Sequence, residues 1–507
     1  MASASRPTEP SGSSPTPRSR SRGARPPAPP FQWADPGDAT YDRVALAPGV
    51  VLHRWRVDDL GNSSYLLHVE GSSTAAVVDP WRDIDPYLPV LHRLDLDRLL
   101  ALETHVHNDF VSGGRELAAV MGATLGAAAE APLRFPFRPL SDNEEIPLGR
   151  YRLQVWSTPG HTPEHVSYVL LGPGRAPVAL FSGGSLLVGA AGRTDILGAR
   201  WARPLAIQMY HTLHDRIARL PDTTVVFPTH GGGSFCGRGG GAGESTTIGQ
   251  ERTSNPLLRA PTIEDFLSEI LDQRPFPRYF SRMREVNLQG APLRGSTALR
   301  VAALRLGAFD AARAAGAQTL DLRPFVEYDA AHIPGAFAID FECGAFSAWA
   351  GWLLSPERGI VLVDAPDGRA SSAAARQLFR IGFDRVLGTL AGGLETWSLE
   401  RRPTASVRRM GSRALVRAVR SPSLLTILDV RERHEYAAGH LPGALSIPLG
   451  ELLGRVGEIP RGAPVAVYCA HGYRSVSALS LLEQQGFTEL IHADEGFVGW
   501  QSAIRPS

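Results

Sequence analysis

The amino-acid sequence predicts a multidomain α/β protein with parallel sheets, and three observations predict it. The 507 residues exceed what one hydrophobic core usually organises, so two to four domains are expected. After Trp33, short apolar runs that read as strands alternate with helical stretches, a pattern that calls for sheets covered by helices. The C-terminal part also contains one unit twice: TLDLRPFVEYDAAHIPGAFAI (319–339) matches TILDVRERHEYAAGHLPGALSI (426–447), and LAGGLETW (390–397) matches ADEGFVGW (493–500).

Each segment follows in order. Residues 1–35 read as a disordered basic tail, rich in Ser, Pro and Arg, without the apolar stretch of a secretory signal or a spanning helix. A first domain is expected over 36–290. Its runs SYLLHV (64–69), TAAVVD (74–79) and LLALETH (99–105) each end in polar residues, which places those residues at a sheet rim, where ligands bind. A helical stretch from Thr262 to Arg284 closes this domain. The Gly-rich piece CGRGGGAGES (236–245) lacks the strand-then-helix spacing of a phosphate-binding loop and receives no nucleotide role. The repeat copies occupy 292–405 and 410–507, with PTASVRRMGSR (403–413) at their junction.

Composition excludes some partners. With 43% apolar and 20% charged residues and a formal charge of +1, nothing draws the chain to nucleic acid or a membrane surface, so a small-molecule partner is expected. All 52 basic residues are arginine, which reads as coding bias. Three distant cysteines, Cys236, Cys343 and Cys469, form no disulfide framework and predict a reducing cytoplasm. No run of 18 apolar residues occurs.

In the second copy the strand PVAVY (464–468) runs into Cys469-Ala470-His471-Gly472-Tyr473-Arg474, and the helical SVSALSLLEQQG follows. A cysteine between a strand end and a helix N-terminus sits among converging N–H groups at the positive end of the helix dipole. Its thiolate, the nucleophilic form, is favoured there, and Arg474 adds a fixed positive charge. A buried, inert cysteine is the alternative. Together with Asp429-Val430-Arg431 and the Gly439–Ala444 turn, this CxxGxR loop resembles the rhodanese family. Four residues separate Cys469 from Arg474, whereas the related cysteine phosphatases have five. The resemblance implies that Cys469 takes a sulfane sulfur from thiosulfate or a persulfide, holds it as Cys–S–S⁻ in a loop lined by Ala470, His471, Gly472 and Tyr473, and passes it to a thiol acceptor. The first copy departs from the pattern. Its segment VLVDAPDGR (361–369) has Asp364 in the nucleophile's place, so an inactive spacer or docking module is expected, although Arg369 survives.

Nearer the N-terminus, THVHNDF (104–110), TPGHTPEH (158–165), FSGGSLLVGAAGRTD (181–195) and PTHGGGSFCG (228–237) occur in that order. They resemble the metallo-β-lactamase superfamily, which implies an αββα sandwich. Fused to tandem rhodanese-like copies, the chain looks most like rhodanese-linked persulfide dioxygenases, relatives of glyoxalase II. The resemblance implies one iron, held by the first histidine, the second-motif histidine and a third-motif aspartate. Carried over, those positions are His105, His161 and Gly184, and glycine offers no ligand. Phe110 stands at the second-site histidine.

One divalent metal is therefore expected, with Fe²⁺ preferred and Zn²⁺ also suited to imidazole. Three arrangements stay open: a site of His105, His107 and His161, a two-histidine iron, or no metal. Asp109 and His230 are secondary candidates, and Asp195 reads equally well as a loop partner. The expected function is sulfane-sulfur handling, with transfer through Cys469 coupled to a persulfide-dioxygenase-like domain whose metal site is altered. The alternatives are a metal-dependent thioester or lactone hydrolase and a metal-free persulfide-binding scaffold. Expected partners are a persulfide or thiosulfate and a thiol acceptor, and the oligomeric state is left open.

Overall fold

Apolar runs too short for a stable helix become strands, and where helices cover both faces the run is buried throughout, as in Ile360–Val363 and Val465–Tyr468. The computed structural model describes residues 39–237, 243–271, 275–295, 299–420 and 425–504. The tail expected over 1–35 and part of the Gly-rich loop lie outside these residues.

Seven strands between Ala39 and Leu140 form a first sheet in chain order, antiparallel over the first four strands and parallel from Thr74–Val78 onward. Six strands between Glu145 and Thr247 form a second sheet in reverse chain order. Leu67, Val78 and Leu102 of the first sheet meet Val155, Tyr168 and Phe181 of the second in one core. The helix Gly114–Met121 packs on the outer side of the first sheet, and Ala199–His211 and Ile263–Ile270 pack on the outer side of the second. This is the αββα sandwich. The strands Thr74–Val78 and Arg98–Leu102 end side by side, which delivers Asp79 and the Glu103–His105 segment to one rim.

The helical stretch expected from Thr262 to Arg284 is two helices, Ile263–Ile270 and Phe280–Gln289. Pro275 and Pro277 stand between them; proline lacks the N–H a helix interior needs and clashes with the preceding turn.

Both repeat copies build a five-stranded parallel sheet with the same order, the first strand beside the fifth, then the fourth, second and third. The repeated Asp-x-Arg is structural. Arg323 pairs with Asp321 and donates to the Ala331 carbonyl at 2.9 Å; Arg431 pairs with Asp429 and donates to the Gly439 carbonyl at 2.7 Å. Each arginine thus pins the turn that follows. The turn histidines stack on the repeated tyrosines, His332 on Tyr328 at 3.8 Å and His440 on Tyr436 at 3.7 Å. The junction is not merely a linker, because Arg408–Arg409 pairs with Ile491 and His492 as an edge strand.

From Pro36 onward these sheets form one compact unit. The first copy packs against the sandwich beside THVHNDF: Arg380 pairs with Asp83, both fully buried, and its carbonyl accepts the Val111 N–H at 2.8 Å. Removing either charge would strand the other in a dry interface. Among the described residues, no helix is long and apolar enough to cross a membrane.

Candidate functional site

Three histidines from three loops converge at the sandwich rim. His105 follows the strand Arg98–Leu102, His161 lies in the loop before Val166–Leu171, and His230 follows Val225–Pro228. One ring nitrogen from each lies within 4.8 Å of the others, and all three side chains are buried. Each Nδ1 is already engaged. His161 Nδ1 donates to the Arg193 carbonyl at 2.7 Å. His230 Nδ1 faces the acceptors Asn62 Oδ1 at 3.0 Å and Asp109 Oδ2 at 3.1 Å. Thr104 Oγ1 gives its one hydrogen to Asp79, so it accepts from His105 Nδ1 at 2.8 Å.

In the neutral tautomers that these bonds select, the three Nε2 atoms carry the lone pairs and lie close to one another. His105 and His230 Nε2 are 3.3 Å apart, and His161 Nε2 has no hydrogen-bond partner. Burial and the neighbouring imidazoles push His105 and His161 well below the usual histidine range. Facing lone pairs in a dry site repel, and a divalent cation relieves that repulsion. The residues present therefore fit a metal held by His105, His161 and His230.

His107 does not join them. Its Nε2 lies 3.2 Å from Asp79 Oδ1 and 3.5 Å from Glu103 Oε2. Burial opposes charge on this ring, but the two carboxylates prevail and raise it to about 10. An imidazolium has no lone pair to give a metal. The Phe110 ring stacks on the His107 ring at 4.1 Å and fills the space beside it. Burial also works against an Asp109 carboxylate, yet His230 and Asn62 hold it well below the usual range, as a partner of His230. Asp195 is taken up by the Arg193 guanidinium and lies off the site.

Gly184 is glycine for a steric reason. A Cβ there would stand 2.3 Å from His161 Cδ2, and the Gly184 N–H donates to His165 Nε2 at 2.9 Å. We expect Gly184→Asp to displace His161 rather than add a ligand, lowering stability by about 1–3 kcal/mol. Urea unfolding with metal analysis checks this, and a gain of metal at unchanged stability would contradict it.

Sequence reasoning missed Asp79, Asn62, Glu103, Glu164 and His165. Asp79 holds a left-handed backbone (φ 48°) while its carboxylate collects the Thr104 N–H and the Thr104 and Thr229 hydroxyls, and its place at the end of TAAVVD was the available signal. Glu164 accepts the Val106 N–H and a two-pronged bond from Arg284. His165 is satisfied at both nitrogens, by Thr158 and Gly184, so it is no ligand.

In the second copy, Cys469 follows Val465–Tyr468 and precedes the helix Tyr473–Gln484. Gly472 takes φ 99°, a conformation other residues resist, and so turns its N–H onto Cys469 Sγ at 3.1 Å. Ser475 Oγ lies 3.5 Å from the same sulfur. Cys469 is buried, while Ala470 and Tyr473 are partly exposed and His471 is exposed, so the loop opens on that side. Arg474 is held by Glu435 through bonds of 2.6 and 2.9 Å. Burial disfavours its charge, but Glu435 and the nearby Cys469 sustain it.

The first copy fills the same cradle with its own anion. Asp364 Oδ1 accepts the Ala365 N–H and Oδ2 the Ser371 N–H, both at 2.7 Å, capping the helix Arg369–Arg380. The Arg369 side chain is exposed. Cys343 lies apart from this loop, and burial pushes its thiol up to about 12.

A family model described as the rhodanese-like domain matches residues 307–400 and 413–503. The N-terminal region is 30% identical over 201 residues to the mitochondrial persulfide dioxygenase ETHE1 of Homo sapiens, covering 38% of this chain and 70% of that protein. It is 34% identical over 227 residues to the hydroxyacylglutathione hydrolase of Rhodobacter capsulatus, covering 39% of this chain and 83% of that protein. A solved metallo-β-lactamase structure from Staphylococcus aureus superposes with a TM-score of 0.60 at 28% identity, covering 68% of this chain and 99% of that one. The chain belongs to the metallo-β-lactamase-fold family of persulfide dioxygenases and hydroxyacylglutathione hydrolases, and it carries two rhodanese-like domains after that fold. These relationships support a role in sulfur metabolism or in hydrolysis.

Proposed function

We propose that the protein is a sulfane-sulfur-handling enzyme that transfers sulfur through a Cys469 persulfide and carries a persulfide-dioxygenase-like sandwich with an altered metal site. The domain limits of this reading are 36–290, 292–405 and 410–507. The observation that carries it is the contrast between the copies: one cradle holds a thiol at the helix N-terminus, and the other is closed by Asp364.

The Cys469 thiolate attacks the outer sulfur of thiosulfate or of a persulfide. A new S–S bond forms at Sγ while the donor's S–S bond breaks, and sulfite or a thiolate leaves with the bonding pair. A thiol acceptor then attacks the outer sulfur of Cys–S–S⁻ and regenerates the Cys469 thiolate. The Gly472 N–H and the helix N-terminus stabilise the anion at both stages, and Arg474 supplies positive charge beside it. A thiolate nucleophile suits the reducing cytoplasm that the three unpaired cysteines predict.

In the sandwich, His105, His161 and His230 would hold one divalent metal, with iron preferred over zinc. Bound there, iron supplies the redox chemistry by which O₂ and water convert a persulfide to sulfite and the parent thiol. Asn62, Asp109, Thr104 and the Arg193 carbonyl keep the three imidazoles in the tautomer that presents Nε2. The hydrolase reading is disfavoured, because Gly184 and Phe110 remove the carboxylate and the histidine on which a two-metal site would draw.

Incubation of the purified chain with thiosulfate, followed by mass spectrometry, tests the reading. One added sulfur atom on the Cys469 peptide, with none on the Cys343 peptide, is expected. Absence of sulfur from Cys469 would overturn the transfer reading. Metal analysis that found two zinc ions per chain would overturn the dioxygenase-like one in favour of hydrolysis.

A further inference from the structure

A series of close polar contacts ties the Cys469 sulfur to the copy that has Asp364 in the cysteine's place. Ser475 Oγ lies 3.5 Å from Sγ and 2.7 Å from His492 Nε2, and His492 Nδ1 lies 2.6 Å from Asp329 Oδ2. All four side chains are buried. Asp329 belongs to the helix Phe325–Ala330 of the first copy, and the other three belong to the second. Phe325, from the same helix, packs edge-on against His492 at 5.4 Å and Tyr473 at 5.6 Å.

The repeat shows that this contact is not a by-product of duplication. Asp329 aligns with Ala437 in the second copy. His492 pairs with Val467, two residues before Cys469, and Thr389 pairs with Leu362, two residues before Asp364, so His492 stands where the first copy has Thr389. There Ser371 donates to Thr389 at 2.9 Å, and no imidazole is involved. The histidine thus occurs in the copy with the nucleophile, and the aspartate that holds it comes from the copy without one.

The hydrogens decide what the series does. Ser475 has one hydrogen and three acceptors in reach: Cys469 Sγ, the Gly472 carbonyl at 2.9 Å and His492 Nε2. If Nε2 is bare it takes that hydrogen. If it carries a proton, it donates to Ser475 Oγ or to the Gly472 carbonyl at 3.1 Å, which frees the hydroxyl for sulfur. With Asp329 accepting from Nδ1, a neutral ring has Nε2 bare; when the thiol proton passes through Ser475 to Nε2 the second arrangement forms, and Asp329 balances the charge the ring then carries. Among the described residues, Arg409 lies 3.9 Å from Asp329 and pairs with Asp494.

Resting on the reading of Cys469 as the nucleophile, we propose that Asp329 of the first copy is a positioning residue for it, acting through His492 to aim the Ser475 hydroxyl hydrogen at the thiolate. The copy with Asp364 in its cradle then serves as a structural cofactor of its neighbour. The series also gives the thiol proton a route away from sulfur.

The test follows alkylation of the Cys469 peptide by iodoacetamide against pH in the full chain, read by mass spectrometry. Asp329→Asn and Ser475→Ala should each shift the acid limb upward, slowing alkylation below it about tenfold, and Asp329→Glu should restore it. Glu483→Gln takes the charge out of a different contact between the copies, the 2.8 Å bond to His332, and should leave the limb in place. An unchanged limb in both Asp329→Asn and Ser475→Ala, or an equal shift in Glu483→Gln, would overturn the proposal. If the shift occurs but the unmodified chain takes no sulfur from thiosulfate, the fault lies with the sulfurtransfer reading and not with Asp329.

Discussion

Replacing Cys469 by alanine is expected to abolish sulfur transfer from thiosulfate, a loss of roughly 10³-fold or more, because burial keeps the other two thiols, Cys236 and Cys343, protonated. Cys343→Ala should leave the rate unchanged. The difference follows from environment. Cys469 has the Gly472 N–H on its sulfur and a helix N-terminus behind it. Cys343 is pushed by burial up to about 12, so few of its thiols ionise near neutrality. Steady-state assays on both variants, with circular dichroism to verify folding, decide the matter. Equal loss in both, or none in Cys469→Ala, would remove Cys469 from the chemistry.

The second large effect concerns the metal. Replacing His105, His161 or His230 by alanine is expected to deplete the protein of metal, while His107→Gln retains it. Asn62→Ala, which removes one of the two acceptors facing His230 Nδ1 and the donor that holds Asp109, should weaken binding by about 10–100-fold. Elemental analysis and titration with Fe²⁺ or Zn²⁺ measure all five. Metal retained in His230→Ala but lost in His107→Gln would return the site to His105, His107 and His161. Asn62 and Asp109 face His230 Nδ1 and so direct its Nε2 lone pair toward His105 and His161 from the other side of the ring.

Much of the molecule was legible because its signals are local. The alternation of short strands and helices, the repeat, and the order of the four motifs, three of them bearing histidine, need no knowledge of distant contacts. The cysteine loop is similar: a strand end, four intervening residues and a helix start fix the position of Cys469 within a single turn. The helical stretch expected from Thr262 to Arg284 is two helices instead, because Pro275 and Pro277 supply no N–H to a continuous one.

What the sequence determined by itself, then, is the set of chemical groups: a cysteine poised at a helix N-terminus, histidines at a sheet rim, and a repeat copy with aspartate in the cysteine's place. Only the tertiary structure decided how they are used. His105 and His107 are two residues apart, yet one turns toward His230, 125 positions away, while the other turns into Asp79 and Glu103. Asp329 reaches His492 across 163 positions and two repeat copies. A buried ring points where its second nitrogen finds a partner, and that partner comes from whichever loop the packing brings alongside.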